Sequence, residues 1–156
     1  MKDQPTIVVF DADERCVDQF NILRRDAEVL VSPSLQNALG TIQEKHPALV
    51  IADGSRDWGH AGRFVHALRT LPLERSFRIL LIVDSCDALT HRSGLHAGAD
   101  TTLCRPFTPE QLLKTVRCIL DAASERQCHA CGPIQGALRW MRRRMNGLRS
   151  GNQLVG

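Results

Sequence analysis

The chain has 156 residues, of which 43% are hydrophobic and 24% are charged. This length suits one compact domain with a sizeable core, and the composition excludes an intrinsically disordered chain. The longest apolar runs, such as residues 79–83, are far too short to cross a bilayer, and Asp11 interrupts the first apolar stretch before it resembles a signal peptide. We therefore expect a cytoplasmic protein with no membrane partner.

Charge is distributed unevenly along the chain. Residues 1–132 carry 15 Lys or Arg against 17 Asp or Glu, whereas residues 133–150 carry five Arg and no acid. This change predicts a body and a separate basic tail. We expect a domain at residues 1–123, a cysteine-containing connector at 124–132, an amphipathic basic helix at 133–150, and the start of a truncated downstream segment at 151–156.

Strands and helices alternate along the body. Five short runs rich in Val, Ile and Leu are predicted strands: Thr6–Phe10, Glu28–Val31, Ala48–Ala52, Arg78–Val83 and Thr101–Cys104. Runs that are apolar on both faces are typical of buried parallel strands. Helical patterns lie between them and after the last strand. Five such units predict a doubly wound α/β fold, a parallel sheet with helices on both faces.

Two of the predicted helices carry clear end signals. A helix over Asp87–Ala97 is expected to end at Gly98, since glycine often follows the last helical residue. The last helix of the body is expected to begin with Thr108 as its N-cap and Pro109 at its first helical position.

Acidic residues follow two of the predicted strands. Asp53 closes the apolar run 48–52, while Asp11 and Asp13 follow the run 7–10. If these strands are adjacent and parallel, their carboxyl ends bring the acids together at the edge where open α/β sheets place their sites.

Residues 6–121 resemble the receiver domain of bacterial two-component response regulators. The resemblance rests on four segments, Ile7–Asp11, Pro47–Asp53, Gly94–Asp100 and Arg105–Leu112. It implies a flavodoxin-like sheet with strand order 2-1-3-4-5, which puts the first and third strands side by side. It also implies a cis peptide bond before Pro106 that would aim residue 105 into the site.

The resemblance also implies a chemistry. In such domains a histidine kinase passes a phosphoryl group to the aspartate after the third strand, here Asp53, with Mg²⁺ spreading the charge. Asp11 matches the first of the two acids that follow the first strand, but Ala12 stands in place of the second, so that Mg²⁺ binding is doubtful. Asp13 lies one residue further on and should point elsewhere, but Asp11 and Asp13 are the candidate residues of the acidic pocket and of any Mg²⁺ site.

Three further positions depart from the receiver pattern. Val83 replaces the hydroxyl residue at the end of the fourth strand, Arg105 replaces the lysine, and Thr102 replaces the aromatic residue often found in the fifth strand. Valine cannot hydrogen-bond a phosphoryl oxygen, and the planar guanidinium differs from a compact ammonium. These departures favour a degenerate receiver that acts without phosphorylation over a conventional one. In the simplest structural reading, Arg105 only satisfies the leftover acids Asp11 and Asp53.

The six cysteines are expected to be free thiols, because disulfides are rare in cytosolic proteins. Cys86 and Cys104, among others, are interpreted as small core residues. Cys128 and Cys131 form a C-x-x-C pair in the connector, and such a pair binds zinc or forms a redox couple. A closed zinc site needs four ligands and no second pair follows, so a redox- or metal-responsive module remains the weakest of three hypotheses.

The basic tail shows the apolar spacing of a coiled coil. Its apolar positions recur every three or four residues: Ile134, Leu138, Met141, Met145 and Leu148. Two heptads are too short to be stable alone, so we expect a homodimer. Little aromatic interleaving and no helix-turn-helix pattern argue against direct nucleic-acid binding by this segment.

The closing residues Leu154–Gly156 resemble the opening of the AAA+ ATPase domain of bacterial enhancer-binding activators. The order of receiver, heptad helix and this tripeptide implies the regulatory part of a longer activator with AAA+ and DNA-binding domains downstream. No phosphate-binding glycine loop or catalytic triad is present, so we expect a regulatory module rather than an enzyme.

Overall fold

The computed structural model describes residues 4–10, 17–54, 58–72 and 77–121, with the side chains of Trp58 and His60 outside that description. The predicted acids Asp11 and Asp13 therefore lie outside the described residues. So do Ala12, the connector with Cys128 and Cys131, and residues 133–150, where a helix was predicted.

Five parallel strands form one sheet. Their order is β2-β1-β3-β4-β5, as the receiver resemblance implies. The bounds are β1 Thr6–Phe10, β2 Glu28–Ser32, β3 Leu49–Asp53, β4 Arg78–Val83 and β5 Thr101–Cys104. The predicted α/β architecture is confirmed, with the first and third strands adjacent. Two predicted strands were off by a residue. β2 extends to Ser32, and β3 begins at Leu49 with Asp53 as its last residue rather than the residue after it.

The helices alternate with these strands. Their bounds are α1 Val17–Phe20, α2 Leu35–Lys45, α3 Trp58–Thr70, α4 Ala88–Ala97 and α5 Pro109–Asp121. After α1 the chain continues as a 3₁₀ turn over Asn21–Arg25. The apolar residues Val17, Phe20 and Leu23 recur every three residues, which fits the three residues per turn of a 3₁₀ helix better than an α-helix. No helix in these described ranges is long and apolar enough to span a membrane.

The core consists of two apolar layers, one on each face of the sheet. Val8 and Val50 belong to the layer under α2 and α3, whereas Ile7 and Ile51 belong to the layer under α1 and α5. Successive strand residues point to opposite faces, so an all-apolar strand is required to fill both layers. The burial of these strands holds the carboxyl ends of β1, β3 and β4 in fixed register.

The helix-end predictions are confirmed at the described residues. The Gln111 amide donates to Thr108 Oγ1 at 3.2 Å, and the Gln111 side chain accepts from the Thr108 amide at 2.8 Å. This reciprocal pair is a capping box, in which two otherwise unpaired amide donors are satisfied. Gly98 ends α4 with a φ of 114°, a left-handed conformation that glycine adopts at little cost.

The expectation of free thiols was wrong for Cys86 and Cys104. The structure pairs them as a disulfide. Cys104 is the register partner of Val83 at the end of β4, and the chain after Val83 turns back far enough to bring Cys86 over the end of β5. Cys86 is also exposed rather than a core residue. Sequence separation concealed the contact because it depends on the pairing of β4 with β5.

Candidate functional site at the carboxyl edge of the sheet

The candidate site lies where β1, β3 and β4 end. Phe10 pairs with Ala52 at the last register position of β1 and β3, and Asp53 pairs with Ile82 of β4. The parallel pairing of central strands therefore fixes Asp53 at the carboxyl edge, the usual position for sites in this type of sheet. The backbone beyond the strand stays tied to the sheet, since the Gly54 amide donates to the Ile82 carbonyl at 2.8 Å.

Asp53 and Arg105 form a buried ion pair. Arg105 Nη2 lies 2.5 Å from Asp53 Oδ2, with the Asp53 side chain 2% exposed and the Arg105 side chain 18% exposed. Removal of two charges from water costs several kcal/mol per ion, so an unpaired carboxylate is strongly disfavoured at such a position. The guanidinium therefore neutralises and covers the carboxylate that the receiver resemblance marks as the phosphoacceptor.

Two more contacts orient the Arg105 guanidinium. Arg105 Nη1 donates to Gln19 Oε1 of α1 at 2.8 Å. The guanidinium carbon also lies 5.1 Å from the centre of the Phe107 ring, within reach of a cation–π interaction. The peptide bond between Arg105 and Pro106 is cis, as the resemblance implies. Sequence reasoning missed Gln19, which carries no pattern that identifies it.

Val83 closes β4 without offering a hydroxyl to the site. Its side chain is buried in the apolar layer on the α2 and α3 side of the sheet. Its carbonyl accepts a hydrogen bond from the Arg105 amide at 2.8 Å, which fixes the start of the Arg105 side chain beside the end of β4. The residue thus supports the position of Arg105 through its backbone.

Thr102 connects β5 to α4. Its hydroxyl contacts Nδ1 of His91, a side chain of α4. His91 Nε2 is buried and has no hydrogen-bond partner among the described residues, and burial lowers the pKa of His91 below its ordinary value. Burial thus favours the neutral imidazole. At the position where receivers often carry a mobile aromatic ring, this chain has a hydroxyl that contacts α4.

The loop between β4 and α4 ends in a tight cap. The Asp87 carboxylate accepts from the Thr90 amide at 2.8 Å and contacts the Ser85 hydroxyl. The hydrogen bond from the Ser85 hydroxyl holds the pKa of Asp87 well below its usual range. The hydrogen bond from the Thr90 amide is the second-largest cause. The cap fixes the N-terminus of α4 just after Cys86, and thereby places the disulfide beside the site.

The described residues do not by themselves fit a Mg²⁺ ion. Magnesium needs oxygen ligands in near-ideal octahedral geometry. Asp53 Oδ2 already accepts from Arg105, and Asp84, which follows the end of β4, is exposed. No group of three or more His, Cys, Asp or Glu residues suited to a metal ion occurs within the described ranges. Chemically, the described site offers a carboxylate nucleophile and a neighbouring cation.

The structure resembles solved receiver domains. It matches a protein described as a response regulator from Chloroflexus aurantiacus with a TM-score of 0.64 and 27% identity, over 74% of this chain and 97% of the other. It matches the chemotaxis protein CheY4 of Vibrio cholerae with a TM-score of 0.67 and 23% identity, over 74% of this chain and 98% of the other. The latter likeness shows the shared fold.

Two curated relatives are also similar in sequence. The transcriptional regulator ycf27 of Galdieria sulphuraria is 29% identical over 93 residues, and the phosphate regulon regulatory protein PhoB of Klebsiella pneumoniae is 21% identical over 100 residues. These matches cover 60% and 64% of this chain but 35% and 44% of the relatives, so the chain spans less than half of their length. No protein-family model matches the chain. The fold, the structural neighbours and these relatives together support a receiver domain of the two-component response regulator type.

Proposed function

We propose that this chain is the regulatory receiver module of a two-component transcription regulator and that its site no longer works as a phosphorylation switch. It acts instead as a phosphorylation-independent dimerisation or partner-binding domain. The observation that carries this proposal is the buried ion pair between Arg105 and Asp53. A carboxylate already neutralised by a guanidinium is a poor phosphoacceptor unless the guanidinium moves.

A phosphodonor must displace Arg105 before it can reach the Asp53 carboxylate. Phosphoryl transfer requires in-line approach to the Asp53 oxygen and a cation arrangement that spreads charge over the equatorial oxygens. Here the carboxylate is 2% exposed, and Arg105 is held by Gln19 as well as by Asp53. Approach of a donor therefore requires the guanidinium to leave the carboxylate, and a buried charge separated from its partner is strongly disfavoured.

The residues around Asp53 do not compensate for this cost. Val83 offers no hydroxyl to a phosphoryl oxygen, and Ala12 removes one of the two acids that receivers use for Mg²⁺. Thr102 is linked to His91, so that the aromatic rotation associated with receiver signalling has no counterpart at this position. These three departures and the ion pair support the same conclusion.

The alternative is a conventional receiver, phosphorylated at Asp53 by a histidine kinase. It is favoured by the position of Asp53 at the end of β3 and by the cation within 2.5 Å of it. In that mechanism Arg105 would move from the carboxylate to the phosphoryl oxygens. Regulation through Cys128 and Cys131 stays a prediction, since both residues lie outside the described ones.

The deciding experiment is intact-protein mass measurement after incubation with Mg²⁺ and a small phosphodonor such as acetyl phosphate. We expect no phosphoryl adduct on the wild-type chain. Asp53→Asn controls for transfer to Asp53, and Asp100→Asn controls for transfer to an acid at the opposite edge of the sheet. An adduct that Asp53→Asn removes and Asp100→Asn retains would establish the conventional switch instead.

The same samples test the proposed scaffold role. We expect a homodimer with or without phosphodonor, since the heptad positions of the tail predict association independent of Asp53. Leu138→Glu or Met141→Glu should yield monomers in sedimentation, whereas Arg143→Glu, between the heptad positions, should not. A wild-type monomer would contradict this role, and so would a dimer that forms only with phosphodonor. The downstream AAA+ and DNA-binding domains remain part of the proposal.

A further inference from the structure

Cys86 and Cys104 lie beside the candidate site but take no part in the function proposed above. Cys86 lies in the loop before α4, and Cys104 is the last residue of β5. Eighteen residues separate them in sequence, and α4 lies between them. A covalent bond between their sulfur atoms joins the loop before α4 to the strand that leads into Arg105.

The backbone geometry suits both the oxidised and the reduced form of this pair. The Cα atoms lie 5.5 Å apart, and disulfides usually span about 4.4–6.8 Å. In the same structure Cys104 Sγ lies 3.6 Å from the Ser85 carbonyl oxygen, which could accept from the S–H once the disulfide is reduced. Neither form therefore requires the strand or the loop to move far.

The two thiols differ in accessibility in a way that suits a stepwise exchange. Cys86 is exposed, whereas Cys104 is half-buried and packs against the apolar layer on the α2 and α3 side of the sheet. A reagent from solution reaches Cys86 first, and Cys104 is close enough to complete the reaction. Cysteines that form disulfides in reducing compartments usually do so transiently, as redox sensors.

We propose that Cys86 and Cys104 form a reversible dithiol–disulfide couple that responds to low-molecular-weight disulfides such as oxidised glutathione. The Cys86 thiolate attacks one sulfur of the small disulfide, so that a mixed disulfide forms and one small thiolate leaves. The Cys104 thiolate then attacks the Cys86 sulfur and releases the second. Both cysteines are oxidised, one small disulfide is reduced to two thiols, and the two cysteine protons end on those thiols.

The expected consequence is control over the edge of the domain that carries Arg105. Arg105 follows Cys104 directly, and its amide donates to the Val83 carbonyl at 2.8 Å. Asp87 follows Cys86 and caps α4 through the Thr90 amide. The disulfide therefore ties the α4 cap to the backbone that positions the cation at Asp53. This couple goes beyond the proposed function and does not depend on whether Asp53 is phosphorylated.

The test uses the full chain in buffers with rising ratios of oxidised to reduced glutathione. Remaining thiols are alkylated with N-ethylmaleimide, and tryptic peptides are identified by mass. Cleavage after Arg92 places the two cysteines on separate peptides. We expect Cys86 and Cys104 to lose alkylation together and to appear as one linked peptide that dithiothreitol removes. Separate alkylation of both at the most oxidising ratio, or links only to glutathione or to other cysteines, would overturn the couple.

Matched variants and a second readout complete the test. Cys86→Ser and Cys104→Ser should each abolish the linked peptide, while Cys118→Ser on α5 should leave it unchanged. If a variant folds poorly, the oxidised wild-type protein can instead be compared with the same protein after dithiothreitol has reduced the disulfide. Hydrogen exchange of the Thr90 and Arg105 amides should be slower in the oxidised form. Equal exchange rates in the two forms would refute control over this edge.

Discussion

The two edges of the sheet each hold an aspartate paired with arginine, but they place it in different surroundings. At the amino edge, Asp100 contacts Arg69 at 2.7 Å and Arg78 at 3.2 Å, and its side chain is 27% exposed. At the carboxyl edge, the Asp53 side chain is almost completely buried against Arg105. Acid and cation occur at both edges, so their presence alone does not identify a functional site.

The amino-edge acid is held by the backbone of the fold. Asp100 Oδ2 accepts from the Ile79 amide at 2.7 Å, and the Asp100 amide donates to the Ile79 carbonyl at 2.9 Å. Arg69 also donates to the Gly98 carbonyl at 2.8 Å and to the Phe77 carbonyl at 3.1 Å. These contacts join the starts of β4 and β5 to the end of α3. Asp100 therefore ties backbone segments together, whereas Asp53 Oδ2 contacts the side chain of Arg105.

The largest effect on stability is expected from a substitution that breaks the ion pair between Asp53 and Arg105. Arg105→Ala leaves the buried Asp53 carboxylate without this cation, and we expect the free energy of unfolding to fall by about 3 kcal/mol. The measurement is urea denaturation at neutral pH. In an Asp53→Asn background the same substitution should cost much less, because no charge then needs the guanidinium. Equal losses in both backgrounds would show that Arg105 stabilises the domain through other contacts.

A smaller effect is expected at the amino edge. Asp100→Ala removes the acceptor of the Ile79 amide and of two guanidinium groups, and we expect a loss of about 2 kcal/mol. Asp26→Ala is the matched control, since Asp26 pairs with Arg117 at 2.6 Å on the surface. Exposed pairs of this kind contribute below about 1 kcal/mol. If both substitutions cost the same, the backbone contacts of Asp100 do not distinguish it from a surface acid.

The smallest effect on stability is expected at Gly98, whose carbonyl accepts from Arg69 beside Asp100. A Cβ at this position would meet Arg69 Cγ at 2.7 Å, and the φ of 114° is unfavourable for other residues. Gly98→Ala should therefore destabilise the domain by about 1 kcal/mol, measured as a lower urea midpoint. Gly40→Ala in α2 is the control with the opposite sign, since nothing lies within 4 Å of its Cβ position and alanine favours helices. A stabilised Gly98→Ala variant would exclude a steric role for this glycine.

Much of the fold followed from local patterns, while the boundaries that failed depended on packing. The all-apolar strands required burial on both faces, and Thr108 with Pro109 marked the start of α5. The apolar spacing of Val17, Phe20 and Leu23 predicted a helical face, and the structure divides this segment into a short α-helix and a 3₁₀ turn. Neither the Gln19 contact nor the Cys86–Cys104 contact had a sequence pattern, since each joins segments that only the folded sheet brings together.

The sequence by itself determined the alternation of strands and helices, the position of Asp53 at a strand end, and the absence of a hydroxyl at Val83. These properties depend on side-chain periodicity and on residue identity, which are local. The tertiary structure alone decided that Arg105 pairs with Asp53 across 52 residues and that Cys86 meets Cys104. Such contacts depend on strand order and register, because parallel pairing aligns the ends of strands that lie far apart in the chain.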